Sequence, residues 1–228
     1  GFIYEGTYKY EDFDKVGDTY TLKRNVPYFS SESNTQPGMP KYADLNGDGI
    51  IDDNDRTMIG NGMPKHTGGF TNNFEYKGFD LSIFFQWSYG NDVLNANRLF
   101  FENSNKTRDL NQYASYADRW TPENPESNIP RATDSGSNKV FSTRIIEDGS
   151  FLRLKTVSLG YTLPKQLTKK WKIDNARVFV AGQNLWTCTG YSGYDPEVSI
   201  REGALTPGLD FSAYPRAYSI SFGINLGF

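Results

Sequence analysis

Cysteine and histidine are all but missing from this chain: Cys188 and His66 are the single examples of each. One cysteine cannot build an internal disulfide framework. With one histidine it cannot supply a thiolate cluster, a zinc set or a histidine-based triad. An excess of charge is missing too. Lys and Arg number 24 against 27 Asp and Glu, a net charge of −3, so there is no basic field of the kind nucleic acid requires. No apolar run approaches the roughly eighteen residues of a membrane-crossing helix. Aliphatic residues are sparse as well: hydrophobic content is 37%, and aromatics alone make 15% of the chain. An ordinary soluble core draws more on Leu, Ile and Val. The chain has no Gly-rich phosphate loop and no Gly-x-Ser-x-Gly elbow. It opens on Gly1 without Met or a signal peptide, as expected of a mature product or a piece of a longer chain. Its 228 residues suffice for one large all-β domain or two small ones.

What is present is alternation. Tyr218, Ile220, Phe222, Ile224, Leu226 and Phe228 alternate with Ser219, Ser221, Gly223, Asn225 and Gly227. A period of two makes a strand with one oily face and one small, polar face. Residues 66–89 predict a hairpin turning at Lys77-Gly78. Phe79, Leu81, Ile83, Phe85, Trp87 and Tyr89 share one face of it; Asp80, Ser82, Gln86 and Ser88 share the other, with Phe84 as the exception. Residues 150–161 predict a third strand, in which Leu152 and Leu154 are out of phase with Val157, Leu159 and Tyr161; a bulge would restore the register. Residues 176–186 predict a fourth strand, and Lys165, Lys169, Lys170 and Lys172 cluster just before it. The polar faces are too polar for a sandwich interior and suit a wet lumen. The expected fold class is therefore all-β, a transmembrane antiparallel β-barrel. About five strands cannot close around a solute, and open edges are not tolerated in lipid, so these strands belong to something larger.

Placing the last strand's end at the periplasmic face orders the rest. Residues 1–63 become an outer loop region, 64–90 a barrel hairpin and 91–149 a long outer loop with a short helix near 109–120. Residues 150–186 are barrel strands with a periplasmic turn at 163–175, 187–216 a further outer loop, and 217–228 the terminal strand. Trp87, Tyr89, Trp186 and Tyr218 then lie near the outer end of the wall, and Tyr76, Phe79, Tyr161 and Phe228 near the inner end. Two aromatic belts are what an interface-anchored barrel requires.

The chemistry-bearing stretch is DLNGDGIIDDND, residues 44–55. Asp44, Asn46 and Asp48 take loop positions 1, 3 and 5, with Gly49 at the sharp turn. The Ile50 carbonyl, Asp52 and Asp55 complete an oxygen set of the kind calcium takes. The competing reading is an Asx-rich surface loop whose carboxylates cap local amides. Trp120, Tyr191 and Tyr194 lie in the long loops, where they could stack on sugar rings or meet a partner protein, or pack within the loops. The acid pairs Asp52-Asp53 and Glu147-Asp148 are adjacent in sequence, which points them apart in extended chain; Asp195 and Glu197 sit in a Gly/Pro loop. Enzymatic activity is not expected.

Four blocks carry a resemblance: residues 42–93, 146–164 (IEDGSFLRLKTVSLGYTLP), 176–198 (ARVFVAGQNLWTCTGYSGYDPEV) and 214–228 (YPRAYSISFGINLGF). Together they resemble the carboxyl-terminal part of SusC/RagA-like TonB-dependent transporters of Bacteroidota outer membranes. The resemblance implies a plugged barrel of about 22 strands and a SusD-like surface lipoprotein as partner. It implies uptake of glycans, oligosaccharides or peptides, driven by TonB through upstream regions. It also implies that Phe228 is the signal read by the outer-membrane assembly machinery. Gly160, Tyr161, Gln183, Asn184, Tyr194, Asp195 and Pro196 look like family motif positions. Asn61-Gly62-Met63 and His66-Thr67-Gly68-Gly69 depart from the pattern at one strand entry. Two other functions stay open at this point: a secreted or surface calcium-binding β-module that adheres to glycans, and a passive porin.

Overall fold

The alternating segments pair into one antiparallel sheet. The computed structural model describes residues 1–103, 111–133, 140–200 and 206–228. Strands β1 (Tyr4–Thr7), β2 (Phe13–Val16), β3 (Thr19–Leu22), β4 (Tyr28–Phe29), β5 (Pro40–Tyr42) and β6 (Ile50–Ile51) precede the long ones. There follow β7 (His66–Tyr76), β8 (Phe79–Tyr89), β9 (Asp92–Asn95), helix α1 (Asn97–Phe101), β10 (Ile146–Asp148) and β11 (Phe151–Thr162). Helix α2 (Lys165–Thr168), β12 (Asn175–Thr189), β13 (Leu209–Asp210) and β14 (Ser219–Gly227) complete the order.

The long strands form a five-stranded sheet ordered β14-β12-β11-β8-β7. Its register carries rows of like side chains across the whole sheet. Phe74, Leu81, Leu159, Val180 and Phe222 are successive partners on one face. Asn73, Ser82, Ser158, Ala181 and Ser221 are successive partners on the other. On the apolar face Phe70, Phe74, Phe79, Leu159, Val178, Ile220, Phe222 and Ile224 are all exposed. On the polar face Asp80 and Arg177 form a two-pronged ion pair between β8 and β12.

Two local devices set this register. At the β7–β8 turn, Lys77 and Gly78 have φ of 46° and 87°, the double left-handed turn that matches strand twist. A Cβ on Gly78 would lie 2.9 Å from the Thr162 carbonyl oxygen. In β11 the register shifts between Leu154 and Thr156: against β8, where Phe85 and Phe84 are the partners, Lys155 is the extra residue, and against β12 it faces two residues, Asn184 and Leu185. That is the bulge the out-of-phase leucines required. Opposite it, Asn184 takes a left-handed φ of 51°, which Asn tolerates better than most residues.

By connectivity, every long insertion leaves from one end of the sheet, where β7 and β14 start and β8 and β12 finish. The buried cores lie there, in loops rather than under the sheet. One core joins Phe2, Tyr42 and Ile51; a second joins Tyr8, Phe13 and Leu22. Residues 91–149, irregular by sequence, hold β9, α1 and β10, and β9 pairs with both β10 and β13. The helix expected near 109–120 is a 3-10 turn at Ala114–Asp118; residues 109 and 110 lie outside the described residues.

Candidate functional site at the loop end of the sheet

Arg153 organises this end. It sits on the polar face of β11 and is 2% exposed. Its guanidinium reaches Asp195 at 2.5 Å and Glu197 at 3.0 Å. Glu197 also meets Arg216 at 3.2 Å, Lys155 at 3.8 Å and the Gln86 amide at 3.3 Å. Asp195 accepts the backbone N–H groups of Glu197 and Arg216. Burial pushes the Asp195 carboxyl up; the hydrogen bonds from Arg153, Glu197 and Arg216 outweigh it and hold the group below the usual carboxylate range. This ties the Asp195-Pro196-Glu197 segment to the wall. The two carboxylates weighed as an acid pair thus share one arginine, so neither is a free acid or base.

A second knot lies beside the first. Glu102 pairs with Arg98 at 3.0 Å and Arg144 at 2.7 Å, and accepts from Ser115. Glu147 accepts from the backbone and hydroxyl of Ser192 and from Asn95. Burial raises the Glu147 carboxyl, and these bonds with Arg98 bring it net below the ordinary value. The Tyr191 hydroxyl donates to Asp210 at 2.6 Å; burial first, then that carboxylate, pushes the phenol up. Between these elements lies a cleft of about 570 Å³, walled by Asn97, Phe101, Gln112, Tyr113, Tyr194 and Tyr214. Rings and amides around a wet groove suit a polar, flexible polymer.

The three aromatic contact candidates fare differently. Tyr194 is 87% exposed at the cleft. Trp120 is 5% exposed, its ring 5.5 Å from Tyr10 and under the Arg131 guanidinium. Tyr191 is 6% exposed. Both follow the loop-packing alternative and offer no face to a ligand. Arg153, Arg98, Glu102, Tyr113 and Tyr214 were not picked out from sequence. Arg153 left a signal: an arginine within the apolar run Phe151–Leu154 must find a buried partner.

The loop at 44–55 is a set of Asx turns. Asp44 accepts the N–H groups of Gly47 and Gly49, Asn46 that of Asp48, Asp48 that of Ile50, and Asp52 that of Asn54. Gly49 supplies the left-handed turn, with φ 83°. Asp55 is fully buried and accepts from Leu45, Asn46 and Asp52. The bond from Asp52 leads in holding its carboxyl below the usual range. Among the described residues, no three acidic, His or Cys side chains are grouped as a metal set.

No family model matches the chain. Curated relatives do. TonB-dependent receptor P3 of Formosa agariphila is 34% identical over 235 residues, covering 100% of this chain and 22% of the receptor. TonB-dependent receptor P26 of the same organism is 39% identical, covering 84% of this chain and 20% of that one. The chain belongs with the SusC/RagA-like TonB-dependent receptors. The receptor SusC of Bacteroides thetaiotaomicron is 28% identical, covering 86% of this chain and 18% of SusC. Among solved structures, the RagAB peptide transporter superposes with a TM-score of 0.72 at 26% identity, and RagAB in its closed-closed state with 0.73 at 27%. Each covers 100% of this chain and 22% of the other. The chain thus spans about a fifth of the length of the SusC/RagA-like receptors it matches, as a carboxyl-terminal portion should. These relatives are receptors and transporters, not enzymes.

Proposed function

We propose that this chain forms part of the wall and outer loops of an outer-membrane importer of Bacteroidota, working with a SusD-like lipoprotein. The observation that carries the reading is the sheet: one face is an exposed apolar band five strands wide, the other is polar, and all long loops leave one end. A closed barrel puts the band in hydrocarbon and the polar face in a lumen. Further wall strands and the plug would come from outside this chain, and with them the contact to TonB. Cargo is an oligomeric nutrient, glycan, oligosaccharide or peptide, met by the Tyr194 cleft together with the lipoprotein lid. Phe228 is the residue offered to the assembly machinery.

Spin labels at Ile220 and Ser221 test the wall directly. A lipid-soluble relaxant should reach Ile220 far more than Ser221, and equal access sinks the reading. Loss of growth on the oligomeric nutrient after deleting TonB marks an importer, whereas unchanged growth marks a porin.

For the loop at 44–55 we propose calcium held by Asp44, Asn46, Asp48, the Ile50 carbonyl, Asp52 and Asp55. The support is the 1-3-5 spacing with Gly49 at the turn. Calcium should slow amide exchange in this loop and a chelator should reverse it; exchange indifferent to both leaves the Asx turns as the whole story.

A further inference from the structure

At the sheet end opposite the loops, the β11–β12 connection differs from the tight turn at 77–78. It holds α2 followed by a 3-10 turn, Lys169–Trp171. It is fastened to the sheet: the Leu163 N–H donates to the Ala176 carbonyl at 2.9 Å and the Asp174 N–H to Gly227 at 2.8 Å, while Thr168 is buried. Leu167 and Trp171, four residues apart, remain 54% and 68% exposed. Around them Lys165, Lys169, Lys170 and Lys172 are all exposed. The lysines in ion pairs among the described residues are others: Lys9, Lys41 and Lys155. Asp174 is the single acid between 163 and 175. At the same end of the sheet, Tyr76, Phe79, Leu226 and Phe228 are exposed as well, so the connection leaves the wall where the apolar band ends.

We propose that this connection is a foot that docks on an anionic lipid leaflet. Trp171 and Leu167 enter the interfacial layer, and the four lysines take headgroup phosphates. Trp prefers that layer, lysine stems reach from it to phosphate, and basic residues gain most where lipids are anionic. An acidic protein partner accounts for the lysines but not for an exposed Trp and Leu at the end of the sheet where the band ends. The inference rests on the wall reading above.

The test uses the intact receptor, with Cys188 and any other cysteine removed, in bilayers mixing phosphatidylglycerol and phosphatidylcholine. A fluorophore is placed at Leu167→Cys, and separately at Ile220→Cys. Brominated phosphatidylglycerol should quench the 167 probe more than brominated phosphatidylcholine at equal mole fraction, on the order of fivefold for a single well-placed lysine. Replacing the four lysines by Gln should bring the two lipids to parity, while the 220 probe is quenched by both throughout. Quenching at 220 with none at 167, or equal quenching of the 167 probe by both lipids before the lysines are changed, overturns the foot and leaves the wall intact. Shielding of 167 from aqueous iodide without lipid quenching assigns the patch to a protein and also overturns it. No quenching at 220 removes the wall reading and the foot with it.

Discussion

Arg153 shows how one side chain can join a wall to a loop. Its stem leaves β11 toward the polar face, and both of its acidic partners come from a segment some forty residues further on. Arg153→Ala would leave Asp195 and Glu197 facing each other with their buried cation gone. Breaking a buried pair from one side costs about 3–5 kcal/mol, so residues 190–200 should lose protection in hydrogen exchange while β7 and β8 keep theirs. The same latch should respond to acid. Because the folded Asp195 carboxyl lies below its ordinary value of 3.8, its contribution is complete above that pH and fades as pH falls below it. Exchange in this segment should therefore be flat from neutrality to the ordinary carboxylate range and rise beneath it. Persistent protection well below that range would contradict the assignment. At this scale the sequence was partly legible: the 1-3-5 carboxylates announced a structured loop, but burial of Trp120 and Tyr191 depends on contacts with Tyr10 and Asp210, which spacing does not encode.

Among elements, β11 carries its one irregularity at a single residue. Lys155 lets Phe151 and Arg153 share the polar face with Thr156 and Ser158 while Leu152 and Leu154 join the apolar face. Deleting Lys155 joins Leu154 directly to Thr156, and Leu152, Leu154, Val157, Leu159 and Tyr161 then alternate in one phase without a bulge. The deletion should therefore keep both faces and preserve assembly, read as the heat-modifiable folded form in outer-membrane fractions. Loss of that form would show that the neighbouring strands need the bulge itself. The hairpin, the bulge and the terminal strand were legible because period-two alternation and a Lys-Gly turn are local signals. Strands β9 and β10 were not, because their partners come from distant segments and four or fewer residues give no period to read.

For the molecule as a whole, the large exposed apolar surface is the governing fact. Soluble monomers rarely show contiguous apolar patches beyond a few hundred Å², and here they run in rows across five strands. Expressed alone in plain buffer, this stretch should aggregate or require detergent, as sedimentation would show; a folded monomer without amphiphile would refute the wall. Both outer strands, β14 and β7, also have one unpaired edge among the described residues, and each needs a neighbouring strand.

The sequence by itself determined the long strands, their two faces and the bulge, since all of these follow from which side chains stand two apart. Only the tertiary structure decided that Arg153 grips Asp195 and Glu197, that the loops carry their own aromatic cores, and that Tyr194 stays open while Tyr191 is buried. Those outcomes depend on which distant segments share space, and a buried charge or ring takes its role from whatever partner the fold brings to it.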